Sequence, residues 1–353
     1  MPQRFATLSQ LYDHGFDAVI DVRSPSEFAE DHIPGAINLP ALDDDERAKV
    51  GTIYVQQSAF LARKIGAALV ARNAARHIEE HLMNHDGGWR PLVYCWRGGQ
   101  RSGSFASILA QIGWRVETVE GGYQSYRRLV SAALYDHPLG RQVILIDGNT
   151  GTAKTDILHR MRSRGIQVLD LEGMARHRGS VLGSLPGGQP AQKAFESALA
   201  KALAATTPDA PLILEAESSK IGKLTLPPAL WSAMKDAPRI VIDAPLEARA
   251  AYLTEAYADM MADPDRLKAR LAALKPFRGA EAVAHWSELA EAGDFRRLAS
   301  ELMEQHYDPA YRKSRRRAEG DVLATVTAET LDAAGRDTAA DQIAAILSQT
   351  TVM

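Results

Sequence analysis

The apolar run Gln142-Val143-Ile144-Leu145-Ile146 passes directly into Asp147-Gly148-Asn149-Thr150-Gly151-Thr152-Ala153-Lys154-Thr155, and the residues from Asp156 to Arg164 then show helical periodicity. Strand, glycine-bearing loop and helix in that order nearly match G-x-x-x-x-G-K-[ST] in the context the motif requires. Backbone N–H groups from Gly148 to Thr155 would wrap a chain of phosphates, Lys154 would neutralise the terminal oxygens, and Thr155 is a candidate ligand for a magnesium ion. Ala153 stands where the motif has glycine, and Asp156 adds a negative charge nearby, so the residues favour polyphosphate binding over nucleotide hydrolysis.

Such a loop belongs to a doubly wound parallel sheet, and the sequence supplies further strands for one. Short apolar runs at Gln167–Leu171, Leu212–Leu214, Arg239–Ile242 and Val322–Val326 alternate with helical stretches, which predicts about five parallel strands. Ala- and Arg-rich helices from about 246 to 306 read as a helical insertion. Upstream, strands at Ala18–Val22, Leu92–Tyr94 and Val116–Val119 alternate with helices, the longest from about Gln56 to Leu82, which predicts a second α/β sheet. The breaker His137-Pro138-Leu139-Gly140 separates the blocks, giving domains 1–137 and 138–353. A chain of 353 residues has the length for two such cores.

Composition then narrows the class. With 46% hydrophobic and 24% charged residues the chain is not a disordered one, and with one cysteine it is not a disulfide scaffold. A net charge of −3 gives no global field for polyanions, so any nucleic-acid site must be a local patch. No apolar run reaches the roughly 18 to 20 residues of a membrane span, and the opening residues lack the apolar stretch of a signal peptide. The expectation is a cytoplasmic protein with no membrane partner.

The lone Cys95 ends the run Pro91-Leu92-Val93-Tyr94 and opens Cys95-Trp96-Arg97-Gly98-Gly99-Gln100-Arg101-Ser102, before a helical pattern from Gly103 to Gln111. Gly98 and Gly99 let the backbone curl so that N–H groups converge, and the following helix adds the positive end of its dipole. That cradle, with Arg97 and Arg101, would hold an anion above the sulfur and favour thiolate, making Cys95 a candidate nucleophile. The plainer reading, a buried cysteine acting as a small hydrophobe, does not account for the two arginines and two glycines around it.

Asp21-Val22-Arg23-Ser24-Pro25-Ser26-Glu27-Phe28 and His32-Ile33-Pro34-Gly35-Ala36-Ile37-Asn38-Leu39-Pro40 resemble the two N-terminal signatures of the rhodanese family, whose loop cysteine handles chalcogen atoms. In that resemblance the signature residues support the fold and do not catalyse. The spacing Cys95 to Arg101 is also the C-x5-R of cysteine phosphatases, although Tyr94 stands where those have histidine.

Acidic residues sit at the ends of later strands: Asp170, Glu172, Glu215, Glu217 and Asp243. Glu215, directly after Pro211-Leu212-Ile213-Leu214, ranks first as a carboxylate for a metal-bound water. Arg176, His177, Arg178 and Ser180 form a suitable lip for a second anion or substrate. Tyr311, Arg312, Lys313, Arg315, Arg316 and Arg317 concentrate cations beside an aromatic ring, a pattern that binds RNA by stacking and phosphate contacts.

A rhodanese-like cysteine loop fused to a phosphate loop resembles the tRNA 2-selenouridine synthase family. The matching residues are Cys95 to Gly99 with Arg101-Ser102, Gly148 to Thr155, Gly173 with His177 to Ser180, and Glu215 to Ser218 with Ile221-Gly222. The resemblance implies a rhodanese-like α/β domain followed by a P-loop NTPase-like domain with a helical insertion. It implies a transferase that replaces sulfur by selenium in 2-thiouridine at the wobble position, with selenophosphate as donor and S-geranylation from geranyl diphosphate on the way. Both small molecules would be substrates, no tightly bound cofactor is expected, and the macromolecular partner would be the tRNA anticodon stem-loop. Two alternatives stay open: a rhodanese-like sulfurtransferase or C-x5-R phosphatase regulated by a nucleotide-binding domain, and a non-enzymatic RNA-binding protein. The oligomeric state is not legible.

Overall fold

A computed structural model of the chain describes residues 2–180, 182–315 and 320–350. The chain divides into two compact units, Met1–Asp136 with Pro190–Ala205, and His137–Gln189 with Thr206–Met353. Among the described residues no helix is long and apolar enough to cross a membrane.

The first unit is built on five strands, β1 (Pro2–Gln3), β2 (Ala18–Asp21), β3 (Ile37–Asn38), β4 (Pro91–Tyr94) and β5 (Glu117–Val119). They pair in parallel in the order β1-β5-β4-β2-β3. All four residues of β4 are buried, as a strand covered on both faces requires. Ile20, Val93, Phe105 and Leu109 are each completely enclosed in its core, and each such side chain contributes about 1.5–3 kcal/mol. The rhodanese-like signatures act as supports. Arg23 Nη2 lies 2.6 Å from Asp21 Oδ2, both enclosed, and donates to the Asp31 carbonyl at 2.6 Å. Asn38 Nδ2 donates to the carbonyls of Asp21 and Arg23, each at 3.0 Å. The predicted long helix is Ala59–His77, capped by Ser58 and continued by a wider turn Ile78–Leu82, and a separate helix Asp44–Gln56, started by the capping box of Asp43 with Glu46, precedes it.

The segment 190–205 joins this unit through a buried polar network. Arg127 Nη2 meets Glu196 Oε2 at 2.5 Å, and Asp31 Oδ2 accepts from the hydroxyls of Tyr123 at 2.7 Å and Ser197 at 2.9 Å.

In the second unit, β6 (Val143–Gly148), β7 (Val168–Leu169), β8 (Leu212–Glu215), β11 (Arg239–Asp243) and β12 (Val322–Thr327) pair in parallel in the order β12-β11-β6-β8-β7, with a short hairpin of β9 (Lys220–Ile221) and β10 (Leu224–Thr225) beside them. These five parallel strands fall on the five predicted apolar runs. The central β6 is buried along its whole length, and Ile146, Ile213, Ile240 and Ile343 fill the core with at most 0% exposure. The helical insertion between β11 and β12 has its own core around Trp286, which is 0% exposed, packed with Met260, Leu271 and Leu302.

Candidate functional site

In the first unit, β4 delivers Cys95 into the loop, and the helix Gln100–Gln111 starts five residues later. The loop is pressed against a neighbouring turn. Gly98 has φ +66°, and an added Cβ would lie 2.7 Å from the Val119 carbonyl; at Gly122, φ +57°, it would lie 2.2 Å from the Cys95 carbonyl. Only glycine fits such positions. Tyr123 N–H donates to the Cys95 carbonyl at 2.8 Å and Gln124 N–H to that of Trp96 at 3.0 Å, so the helix Gly122–Ser131 fixes the loop from behind. Sequence reading missed Gly121-Gly122, although a paired glycine directly after a strand was the available signal.

Cys95 is 4% exposed, and its Sγ accepts hydrogen bonds from the Ser102 hydroxyl at 3.2 Å and the Gly99 N–H at 3.3 Å. Burial pushes the thiol up, but these donors, with the N–H groups of Ser102 and Arg97, outweigh burial and hold it below the ordinary value. Ionisation is thus easier than for an ordinary cysteine, the direction a reactive thiol needs. Arg97 is exposed at the loop. Arg101 is paired: its Nη1 lies 2.9 Å from Glu27 Oε2, which Arg47 Nε also approaches at 3.2 Å. Ser102→Ala removes one sulfur donor and is expected to raise the Cys95 pKa. The iodoacetamide alkylation midpoint should move to higher pH; an unmoved midpoint would refute this assignment of the donors.

In the second unit the phosphate loop runs from the end of β6 into the helix Lys154–Arg162. At Gly148 an added Cβ would meet Thr152 Oγ1 at 2.4 Å and the Ile242 carbonyl at 2.9 Å. Ala153 takes φ +56°, the left-handed conformation in which the motif prefers glycine. That conformation costs an L-residue about 1–2 kcal/mol, and burial of the Ala153 methyl among Ile157 and Leu158 partly offsets it. Asp156 is balanced by Arg336 at 2.7 Å and Arg160 at 3.1 Å, so its charge does not stand alone at the loop.

Thr150 to Thr155 border a cavity of about 380 Å³. Lys154 Nζ donates to the Gly148 carbonyl at 3.0 Å. Burial works against its charge, but Tyr311, Glu172, Glu217 and Asp147 more than compensate, and the ammonium is held above its ordinary pKa. Asn149 contributes backbone, its carbonyl accepting from Thr152 Oγ1 at 2.9 Å. Thr155 Oγ1 donates to Glu172 Oε2 at 3.0 Å, so Glu172 is the carboxylate beside the candidate metal ligand. Glu215 is 0% exposed, accepts the Leu171 N–H at 3.1 Å, and burial with the nearby Asp170 and Glu172 pushes its carboxyl well up. Burial also pushes the Glu172 carboxyl up, so the two acids are set apart by geometry: Glu172, bonded to Thr155, is the carboxylate that would join Thr155 in holding a magnesium ion. Burial and Glu172 push Glu217 up to about 8.

Of the predicted lip, His177, Arg178 and Ser180 border this cavity, whereas Arg176 turns to the Pro186 carbonyl at 3.2 Å. Arg178 is anchored by Asp259 at 2.8 Å and lies 4.6 Å from the Tyr257 ring centre. Tyr311 also borders the cavity beside Thr150, its ring centre 5.4 Å from Lys154 Nζ. Arg312, Lys313 and Arg315 continue the helix Asp308–Arg315, their side chains undescribed, and Arg316 and Arg317 lie outside the described residues.

Arg249 was not legible as a site residue. Its Nη1 donates to the Thr150 carbonyl at 3.2 Å, and its guanidinium grips Asp308 with two bonds of 3.0 Å. It ties the phosphate loop to the helix carrying Tyr311. Arg249→Met would leave the Asp308 carboxylate without its partner at a cost of about 3–5 kcal/mol, lowering the melting temperature by roughly 10 °C. A melting curve matching wild type would contradict this.

Beside the cavity lies an apolar pocket formed by Met260, Leu267, Leu298 and Leu302, which shares Thr150, Ser180, Leu253 and Tyr257 with it. A charged loop and an apolar pocket thus meet at common residues.

Comparison with known proteins agrees with both halves. Residues 5–129 match the rhodanese-like domain and residues 141–278 the tRNA 2-selenouridine synthase AAA domain. The tRNA 2-selenouridine synthase of Hahella chejuensis is 39% identical over 238 residues, 65% of this chain and 61% of that protein. That of Nitrosomonas europaea is 36% identical over 246 residues, 68% of this chain and 63% of that protein. The match thus spans less than two thirds of the length of either. With the tRNA 2-selenouridine synthase of Alcanivorax borkumensis it extends over 341 residues at 31% identity, 86% of this chain and 91% of that protein. A cysteine cradle and a phosphate loop on one chain, matched over this length, belong together in one lineage: the chain is a member of the tRNA 2-selenouridine synthase family.

Proposed function

We propose that the protein is a cytoplasmic tRNA-modifying transferase that replaces sulfur by selenium in 2-thiouridine at the wobble position, using geranyl diphosphate and selenophosphate in turn. The thione sulfur attacks C1 of the geranyl group, the C1–O bond breaks, diphosphate departs and the N3 proton is released. Alkylation turns sulfur into a better leaving group, so selenium from selenophosphate then displaces geranyl thiol at C2, and water cleaves the P–Se bond. The Gly148–Thr155 amides and Lys154 stabilise the departing diphosphate; magnesium on Thr155 and Glu172 would add charge to it. Arg97 with the Gly98 and Gly99 loop binds selenophosphate, Arg101 joining it on release from Glu27, while Cys95, forming no bond to selenium itself, guides the selenium toward C2. His177, Arg178 and Ser180 line the entrance to the diphosphate cavity, and the basic run from Arg312 to Arg317 holds the anticodon stem-loop.

The supporting observation is the union of the phosphate loop with an apolar pocket through Thr150, Ser180, Leu253 and Tyr257. That pairing suits an amphiphile with a diphosphate head and a hydrocarbon tail. Isothermal titration tests it. Geranyl diphosphate should bind more tightly than inorganic diphosphate and than ATP or GTP; preferential ATP or GTP binding would favour a nucleotide-regulated sulfurtransferase or phosphatase instead.

A further inference from the structure

The first unit holds a cavity of about 310 Å³ that the cysteine loop does not account for. It lies between the helices Asp44–Gln56 and Ala59–His77 and the first turn of the helix Gln100–Gln111. Leu42, Val50 and Val70 give it apolar walls, and Gln100, Arg101 and Arg63 give it polar edges. Tyr54 borders it and is 59% exposed. Beyond the turn between the two helices, Phe60 is 63% exposed, with Lys64 Nζ 5.2 Å and the Arg63 guanidinium 6.0 Å from its ring centre. Single exposed aromatics are ordinary on a protein surface. Here Tyr54 borders the cavity with Arg63, Phe60 lies at the start of the same helix as Arg63 with Arg63 and Lys64 against its ring, and the cavity shares Arg101 and the first turn of the Gln100 helix with the cysteine loop, where Ser102 holds the Cys95 sulfur.

We propose that this cavity receives an unpaired pyrimidine of the tRNA anticodon loop, with Tyr54 stacking on a base at its rim, Phe60 stacking on a neighbouring base beyond it, and Arg63 and Lys64 meeting the backbone phosphates. The proposal rests on the tRNA-modifying reading above and adds where the base is held. Gln100 offers a carboxamide, both donor and acceptor, that matches the imide edge of a pyrimidine. Aromatic platforms interleaved with cations are the means by which proteins hold single-stranded RNA. Because Arg101 is already paired with Glu27, the phosphate contacts fall to Arg63 and Lys64.

The test measures binding of a labelled anticodon stem-loop carrying 2-thiouridine to the full chain. Tyr54→Ala and Phe60→Ala should each weaken binding about five- to a hundredfold, the range for losing one stacked base. Arg63→Glu should weaken it and also flatten the salt dependence. Alkylation of Cys95 at the wild-type rate in each variant shows that the loop is intact. Wild-type affinity in all three variants, with the wild-type chain binding RNA, overturns this site alone. If the wild-type chain does not bind the stem-loop, the tRNA reading falls and the site with it. If the variants change sedimentation but not RNA affinity, the face is a self-association surface and the proposal is wrong.

Discussion

Cys95→Ser is expected to abolish selenation while leaving geranylation within about twofold of wild type. The two steps use different chemistry. Geranyl transfer needs a gripped diphosphate and a sulfur nucleophile supplied by the RNA, neither of which involves Cys95. Selenium delivery needs a soft, polarisable group beside an anion cradle to guide selenium to C2, and a serine hydroxyl lacks both the polarisability of the Cys95 sulfur and its readier ionisation, which donors from Ser102, Gly99 and Arg97 promote. Serine can retain the Ser102 and Gly99 hydrogen bonds, so a collapsed loop is not the expected cause. Nucleoside analysis should show geranylated thiouridine accumulating. Selenouridine formed at the normal rate would remove Cys95 from the mechanism.

Lys154→Ala is expected to lower geranyl transfer by roughly a hundred- to thousandfold, the usual loss when one preorganised charge stabiliser is removed. The ammonium lies against the loop carbonyl of Gly148 and is kept charged by Glu172, Glu217 and Asp147. Without it, diphosphate would depart with no cation held against the loop carbonyl. Selenation of tRNA already geranylated should persist, which separates a lost leaving-group stabiliser from a misfolded chain. Normal geranyl transfer in the variant would reject the assignment of the diphosphate to this loop.

The second sheet and three strands of the first were legible as short apolar runs at parallel-sheet spacing, whereas the two-residue strands Pro2–Gln3 and Ile37–Asn38 carry no such run; the loops were legible because Cys95-to-Ser102 and Gly148-to-Thr155 each carry glycines and cations between a strand and a helix. What escaped depends on contacts distant in sequence. Nothing local in residues 190–205 announces that Glu196 and Ser197 will meet Arg127 and Asp31. Arg249 lies in an ordinary helix and becomes part of the site only when Asp308 and the Thr150 carbonyl are brought to it. Tyr311, read as an RNA-stacking ring, faces Lys154 for the same reason. Glu215 stood first among the carboxylates by its position after a strand, yet that position encloses it completely, whereas Glu172, three residues beyond β7, reaches Thr155.

The most direct measurement incubates the full chain with thiolated tRNA, geranyl diphosphate and selenophosphate, alone and together, and follows the nucleosides by mass spectrometry. Geranyl diphosphate alone should give S-geranyl-2-thiouridine, and adding selenophosphate should convert it to 2-selenouridine. A chain that binds these components yet forms neither product, or that makes 2-selenouridine at full rate with no geranyl diphosphate present, would contradict the two-step account.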